Sequence, residues 1–263
     1  MRWWLLLATL AATPAVAQEE PRFCPNRPDL GSSGCTVLPG QVLAEVSAAD
    51  WELDDAGDAR TDTVLAGDLL VRFGVGPRTE VQVGWTPFGH VRTRDKASGA
   101  ITTSDGVGDV RLAVRQNLRA PDGKGLSFGV EPFVTLPVGR YPVGDGDWGA
   151  GVVVPVTYDL NDTLNLAFTG TGEALPDADG AGRHLSLTAI AGLGVKLSDS
   201  VETVAELSVQ RDDDPEGHRT LALAAGSVAW QPAKTWQLDL LVAAGLNRDT
   251  PDVRVVTGGA VLF

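Results

Sequence analysis

The sequence predicts an all-β protein: a transmembrane antiparallel up-and-down β-barrel of about twelve strands. Three observations predict it. Apolar and polar residues alternate along many stretches, a period of two that belongs to strands with two different environments. The connections between those stretches sort into short and long. Helix composition is missing, since Lys is scarce and there are 31 Gly among 263 residues, which disfavours long helices.

Composition also excludes several functions. Lys and Arg number 21 against 34 Asp and Glu, a formal charge of −13. Nucleic acid is an unsuitable partner for so acidic a chain, because its phosphates demand a basic surface. Three His and two Cys leave little material for a His/Cys metal centre. No metal and no cofactor are expected.

The first element is an export signal, residues 1–17, MRWWLLLATLAATPAVA. Arg2 is the positive region, Trp3 to Ala12 the apolar region, and Ala15-Val16-Ala17 the small-residue cleavage site. Its roughly 10–14 apolar residues are too few to span a bilayer about 30 Å thick. Residues 18–40 then form a leader, expected on the periplasmic side and too few for a plug domain of the kind that fills large transporters. Cys24 and Cys35 are the only cysteines and lie among Pro and Gly. In an oxidising compartment they are expected to pair, which would stabilise the loop by roughly 3 kcal/mol in the chain-entropy model. Pro21-Arg22-Phe23 before Cys24 is no lipobox, and the spacing excludes a CxxC redox centre.

Residues 41–263 are read as the barrel, with strands near 41–52, 61–73, 78–91, 107–118, 125–138, 148–159, 163–173, 184–197, 201–210, 219–231, 235–246 and 252–263. The lengths suit tilted barrel strands. Alternation is clear over 185–197, where Leu185, Leu187, Ala189, Ala191, Leu193, Val195 and Leu197 share one face. In 201–209, Val201, Ala205, Leu207 and Val209 oppose Glu202, Glu206 and Ser208. In 235–246, Trp236, Leu238, Leu240, Val242 and Ala244 oppose Gln237 and Asp239.

Charge falls on one face only. In chain order the polar faces carry Glu45, then Asp68 and Arg72, Glu80, Arg111 and Arg115, Glu131, Glu173, Glu202 and Glu206, Asp239, and Arg254. Buried in a soluble sandwich these would cost several kcal/mol each, whereas a membrane barrel lines its lumen with them. They are therefore the candidate lumen-lining residues. A soluble lipocalin-like barrel has the inverse pattern, and periodicity alone does not say which face is out. Twelve strands, however, enclose a lumen too wide for apolar side chains to fill.

Short connections follow the even-numbered strands, as in GVGP at 74–77 and SDS at 198–200. Longer ones follow the odd-numbered strands, as in TRDKASGAITTSDG, RYPVGDGD, LPDADGAG and DDDPEG. Periplasmic turns and extracellular loops sort in this way. Trp85, Trp148, Trp230 and Trp236 lie near strand ends, where an aromatic girdle belongs. The last strand ends on Phe263, which resembles the membrane-insertion signal of bacterial outer-membrane barrels.

Other clusters invite chemistry and are weighed against blander readings. Asp54/Asp55/Asp58, Asp145/Asp147, Asp177/Asp179 and Asp212-Asp213-Asp214-Pro-Glu216 could hold a divalent cation, but none has EF-hand spacing, and solvated acidic loops are the simpler reading. His184 and Ser186 share one strand face, a placement that resembles some outer-membrane lipid A deacylases. Both point to the predicted lumen rather than to lipid, and no GxSxG elbow is present.

Several segments together resemble the family of outer-membrane transporters assigned to the MetA pathway of phenol degradation. They are CPNRPDLGSSGC, GVGDVRL at 106–112, LPVGR at 136–140, GDWGAGVVVPVTYDL at 146–160, LNRDTPDVRV at 246–255 and the terminal Phe263. The resemblance implies a barrel that moves small, often aromatic or hydrocarbon, compounds, with no catalytic residues to carry over. The expected function is passive passage of small molecules across the bacterial outer membrane. The alternatives are a closed structural or partner-binding barrel and a lipid-modifying barrel enzyme. Expected partners are outer-membrane lipids and lipopolysaccharide, a small-molecule solute, and the barrel assembly machinery.

Overall fold

A computed structural model describes residues 20–55 and 57–263; the export signal at 1–17 lies outside the described residues. Among the described residues there is no helix, and fifteen strands follow one another. They are β1 (Val42–Asp54), β2 (Ala59–Ala66), β3 (Asp68–Gly76), β4 (Thr79–Trp85), β5 (Phe88–Asp95), β6 (Ile101–Gly106), β7 (Val110–Arg119) and β8 (Leu126–Leu136). The rest are β9 (Gly149–Asp159), β10 (Leu164–Pro176), β11 (Arg183–Ser198), β12 (Val201–Asp212), β13 (Arg219–Ala233), β14 (Trp236–Gly245) and β15 (Val253–Leu262).

Twelve of these strands close a barrel in the order β1-β3-β4-β7-β8-β9-β10-β11-β12-β13-β14-β15. The wall shuts where β15 returns to β1, from Leu43↔Leu262 to Leu53↔Val253, antiparallel like every other pair. Closure leaves no unpaired backbone edge in the wall, which is what a membrane requires of a sheet.

The second and third predicted strands are each broken in two, and β6 forms ahead of the fourth, inside the predicted loop. β3, β4 and β7 sit in the closed wall, while β2, β5 and β6 continue outside it as an extension hung on β1, through Asp50↔Leu65, Leu65↔Gly89 and Gly89↔Gly106. The breaks have local causes. Gly67 takes a φ of +73°, and a Cβ there would stand 3.1 Å from the Pro87 ring; Pro87 itself has no N–H to give a ladder. The breaks are tied to one another: Gly67 N donates to Ser47 O at 2.8 Å, Thr86 Oγ1 to Asp68 Oδ1 at 2.7 Å, and Gly108 N to Thr86 O at 2.8 Å. The stretch read from sequence as one long loop is therefore a hairpin, in which β6 pairs with β5 from Arg94↔Ile101 onward.

The two faces decide which side meets lipid. Val46, Phe73, Val83, Val114, Val134, Val154, Phe168, Leu187, Leu240 and Val242 all lie exposed on the outside. Glu45, Arg72, Glu80, Arg115, Glu131, Glu206 and Asp239 are buried on the inside. So extensive an apolar exterior has no place in water, and the lipocalin-like alternative falls with it. Trp230 and Trp236 meet edge-on at 5.8 Å beside the β13–β14 turn. Trp148 lies at the opposite end of the wall, beneath the Arg183 guanidinium.

The interior is less uniformly polar than the alternation suggests. Leu241, Ala243 and Val256 form one apolar cluster, and Ala113, Phe133 and Val153 another across the barrel.

Leu207 is 58% exposed on the outer face of β12. Leu207→Arg should destabilise the barrel by ~2–4 kcal/mol if the position lies near the bilayer midplane. Urea unfolding in lipid vesicles, followed by heat-modifiable gel mobility, measures it. Wild-type stability in the variant would mean that this face does not meet lipid.

Candidate functional site: a leader folded into the barrel

The leader does not lie apart from the barrel as a separate loop. It runs inside, at the end bearing the short turns, where Thr36 N donates to Pro121 O at 3.1 Å and Arg22 reaches Pro77 O and Pro121 O at 3.3 Å each. The described leader residues are held inside this end because the wall supplies side chains to meet their backbone.

A disulfide joins Cys24 and Cys35, with Cα atoms 6.3 Å apart, and brings two carbonyls side by side. Arg72, on β3, grips both. Its Nη1 donates to Cys24 O at 2.7 Å and its Nη2 to Cys35 O at 3.0 Å. Its Nε donates to Glu80 Oε1 at 2.8 Å, and Nη1 also meets Glu45 Oε1 at 3.2 Å. Arg115, from β7, stands beside it, donating from Nε to Glu131 Oε2 at 2.6 Å and from Nη1 to Asn26 Oδ1 at 3.2 Å.

The wall carboxylates then receive the leader's N–H groups. Glu45 Oε2 accepts from Asn26 N at 2.8 Å and Arg27 N at 3.0 Å. Glu80 Oε2 accepts from Val37 N at 2.9 Å. Glu206 accepts from Leu30 N at 2.7 Å and Gly31 N at 3.0 Å. Asp239 pairs with the Arg27 guanidinium at 2.7 Å, and Thr169 Oγ1 accepts from Ser32 N at 2.9 Å. The small residues of GSSGC permit this approach: a Cβ on Gly34 would fall 3.0 Å from the Phe128 backbone.

Seven of the twelve predicted interior residues thus hold the leader or the groups that hold it: Glu45, Arg72, Glu80, Arg115, Glu131, Glu206 and Asp239. The other five lie apart from it. Arg111 bonds Glu131 Oε1 at 2.8 Å and lies over the Phe133 ring. Arg254 pairs with Asp50 at 2.6 Å, and Asp68 accepts from Thr86. Glu202 accepts from Asn165 at 2.9 Å, and Glu173 packs against Gly151. The sequence reading missed Asn26, Arg27, Asp29 and Leu30 on the leader, and Thr169, Ser227 and Gln237 on the wall. The cue was the acidic excess of the polar face, which calls for donors from outside the wall.

Two cavities flank the leader. One, of about 250 Å³, is lined by Leu30, Ser47, Asp68, Leu70, Leu241, Arg254 and Val256. The other, of about 270 Å³, opens among Asp122, Asn165, Glu202, Val204 and Ala229. Arg27, Pro28 and Asp29 line both, so this segment is the partition between them.

The model of the family described as "Putative MetA-pathway of phenol degradation" matches residues 25–263. The chain belongs to this family. No curated protein matches the sequence. Among solved structures, the NanC porin superposes with a TM-score of 0.51 at 9% identity, over 85% of this chain and all of that one. The translocator domain of the autotransporter NalP from Neisseria meningitidis gives 0.51 at 13% identity, over 85% of this chain and 88% of that one. At such identities the likeness is one of fold, an outer-membrane barrel.

Arg72→Met removes the group that balances Glu45 and Glu80 in a site without solvent. The expected loss is about 3–5 kcal/mol, the usual cost of stranding buried partners. Tryptophan fluorescence during urea unfolding of the refolded family member reads it, and a loss below about 1 kcal/mol would show the cluster to be solvated.

Proposed function

We propose that this family member is a channel in the bacterial outer membrane for passive passage of small molecules, narrowed by its own leader. The two cavities that meet at Arg27–Asp29 carry this reading, because together they follow the barrel interior past the partition. The short turns then face the periplasm and the long loops the exterior, as in other outer-membrane barrels. Lipids surround the apolar wall, lipopolysaccharide meets the long loops, and the assembly machinery reads the strand that ends on Phe263.

The upper cavity suits a molecule with an apolar body and a polar handle. Leu30, Leu70, Leu241 and Val256 offer the apolar wall, and Asp68, Arg254 and Ser47 the polar one. Small phenolic compounds, to which the family description refers, have that chemistry. A closed barrel is the second reading, favoured by the hydrogen bonds that fasten the partition on both sides. The lipid-modifying enzyme has less support: Ser186 Oγ accepts from Gln210 Nε2 at 2.9 Å, and both His184 nitrogens face carboxylates. No base is poised on that hydroxyl.

Planar-bilayer recording of the refolded protein tests the channel. Cys24→Ser/Cys35→Ser should loosen the leader and raise conductance several-fold over wild type. Silence in both would favour the closed barrel.

The leader also predicts a pH dependence. Burial, and then the charge of Glu206, pushes the Asp29 carboxyl up to about 8 against a donated bond from Ser227, with Glu202 and Asp239 adding to the rise. In a released leader the group returns to about 3.8. The docked state therefore holds the proton more tightly. Docking is strongest below the lower value, weakens as pH climbs between the two, and loses nothing more above the upper one. Wild-type conductance should rise from about pH 5 to about pH 8 and then level, while Asp29→Asn should be flat. A rise that persists in Asp29→Asn would remove Asp29 from the explanation.

A further inference from the structure

At the long-loop end three aspartates converge on one imidazole. His184, the second residue of β11, has a ring only 6% exposed. Its Nδ1 lies 3.0 Å from Asp177 Oδ1 and 3.4 Å from Asp214 Oδ2. Its Nε2 lies 2.9 Å from Asp212 Oδ1 yet is buried and makes no aligned hydrogen bond. Asp177 belongs to the β10–β11 loop and Asp214 to the β12–β13 loop, so the ring stands where two neighbouring loops meet.

The charges do not balance without help. A neutral imidazole has one N–H, which cannot serve Asp177 and Asp214 at once. Even an imidazolium sets one positive charge against three negative ones. Arg219 adds a further positive charge at the edge of the cluster, reaching Asp212 at 3.4 Å. The backbone N–H groups of Glu216 and Ala178 donate to the two Asp214 oxygens, at 2.7 and 2.8 Å, and fix the carboxyl in place.

We propose that Asp177, His184 Nδ1 and Asp214 bind a first-row divalent cation of the Zn²⁺ type. The three ligand atoms lie within 4.8 Å of one another. Ligands that share a cation at about 2.0–2.1 Å stand roughly 3.0–3.4 Å apart, the spacing that Nδ1 already has to both oxygens. Metal on Nδ1 places the ring proton on Nε2, facing Asp212, and a carboxylate behind a ligating imidazole is the usual outer partner of such a site. A nitrogen donor among carboxylates selects Zn²⁺ over Ca²⁺ or Mg²⁺, which take oxygen. Three protein ligands leave the cation open to water, and its evident effect is to clasp the two loops.

The test uses the full mature chain without a polyhistidine tag, refolded in detergent, stripped with chelator and dialysed against Zn²⁺. Metal analysis should find saturable binding near one equivalent, with thermal stabilisation of the folded band. His184→Ala and Asp214→Asn should each weaken binding at least tenfold, and Asp212→Asn about 10–100-fold through the outer partner. Asp199→Asn, at the opposite end of the barrel, should bind as wild type. If His184→Ala does not fold, Asp177→Asn replaces it. Non-saturable binding, equal affinity in the ligand variants, or a preference for Ca²⁺ would overturn the assignment. The result is independent of whether the interior conducts.

Discussion

Arg72 has no exposed surface, and the short-turn end of the barrel is organised around its N–H donors. A guanidinium away from water must have its charge matched and its donors filled, or the cost runs to several kcal/mol. Glu45 and Glu80 supply the charge, and the carbonyls of Cys24 and Cys35 fill donors that no wall residue reaches. Neither half is complete alone. Without the leader the wall would leave donors unfilled, and without the wall the leader has too little apolar surface to fold by itself. The disulfide joins the two requirements, since it sets the carbonyls at the separation one guanidinium can bridge.

The same constraint explains the carboxylates. A twelve-strand wall encloses more space than its own side chains can fill, and inward acids in such a space need either water or donors. The leader delivers donors as backbone N–H groups, a form that loses little side-chain entropy on docking. Glu206 and Glu45 each take two of them in succession. This is recognition of a chain path rather than of particular side chains. It accounts for a leader of small residues and prolines sitting against a wall of charged ones.

Much of the architecture was legible because strand alternation is a local property. The alternation over 185–197 and 201–209 places Leu187 and Leu207 outside and Ser186 and Glu206 inside, as the structure has them. The same alternation put Glu45, Arg72 and Glu80 on the inward face, where they are buried. Their partners were not legible, since Arg72 and Cys24 are far apart in sequence and meet only once the barrel closes. The breaks at Gly67 and Pro87 carried a signal of their own, a glycine and a proline within otherwise regular strands, but that signal does not say that neighbouring strands break together. Asp177 and Asp214 in their loops, and Asp212 at the end of β12, read as solvated acids in sequence, where nothing shows that His184 of β11 stands between them.

On the channel reading, the order of surfaces met along the interior decides what limits passage. From the long-loop end a solute first meets the cavity walled by Leu70, Leu241 and Val256, where an apolar body gains about 25 cal/mol for each Å² it buries. It next meets Arg27 paired with Asp239 and Asp29 bonded to Ser227, which offer an apolar body nothing. An ion finds the reverse, poor solvation in the cavity and strong competition at the partition. For neither kind of solute is the wall alone a continuous favourable path. The rate of passage is then set by displacement of the segment Arg27–Asp29, so the element that stabilises the short-turn end also governs transport.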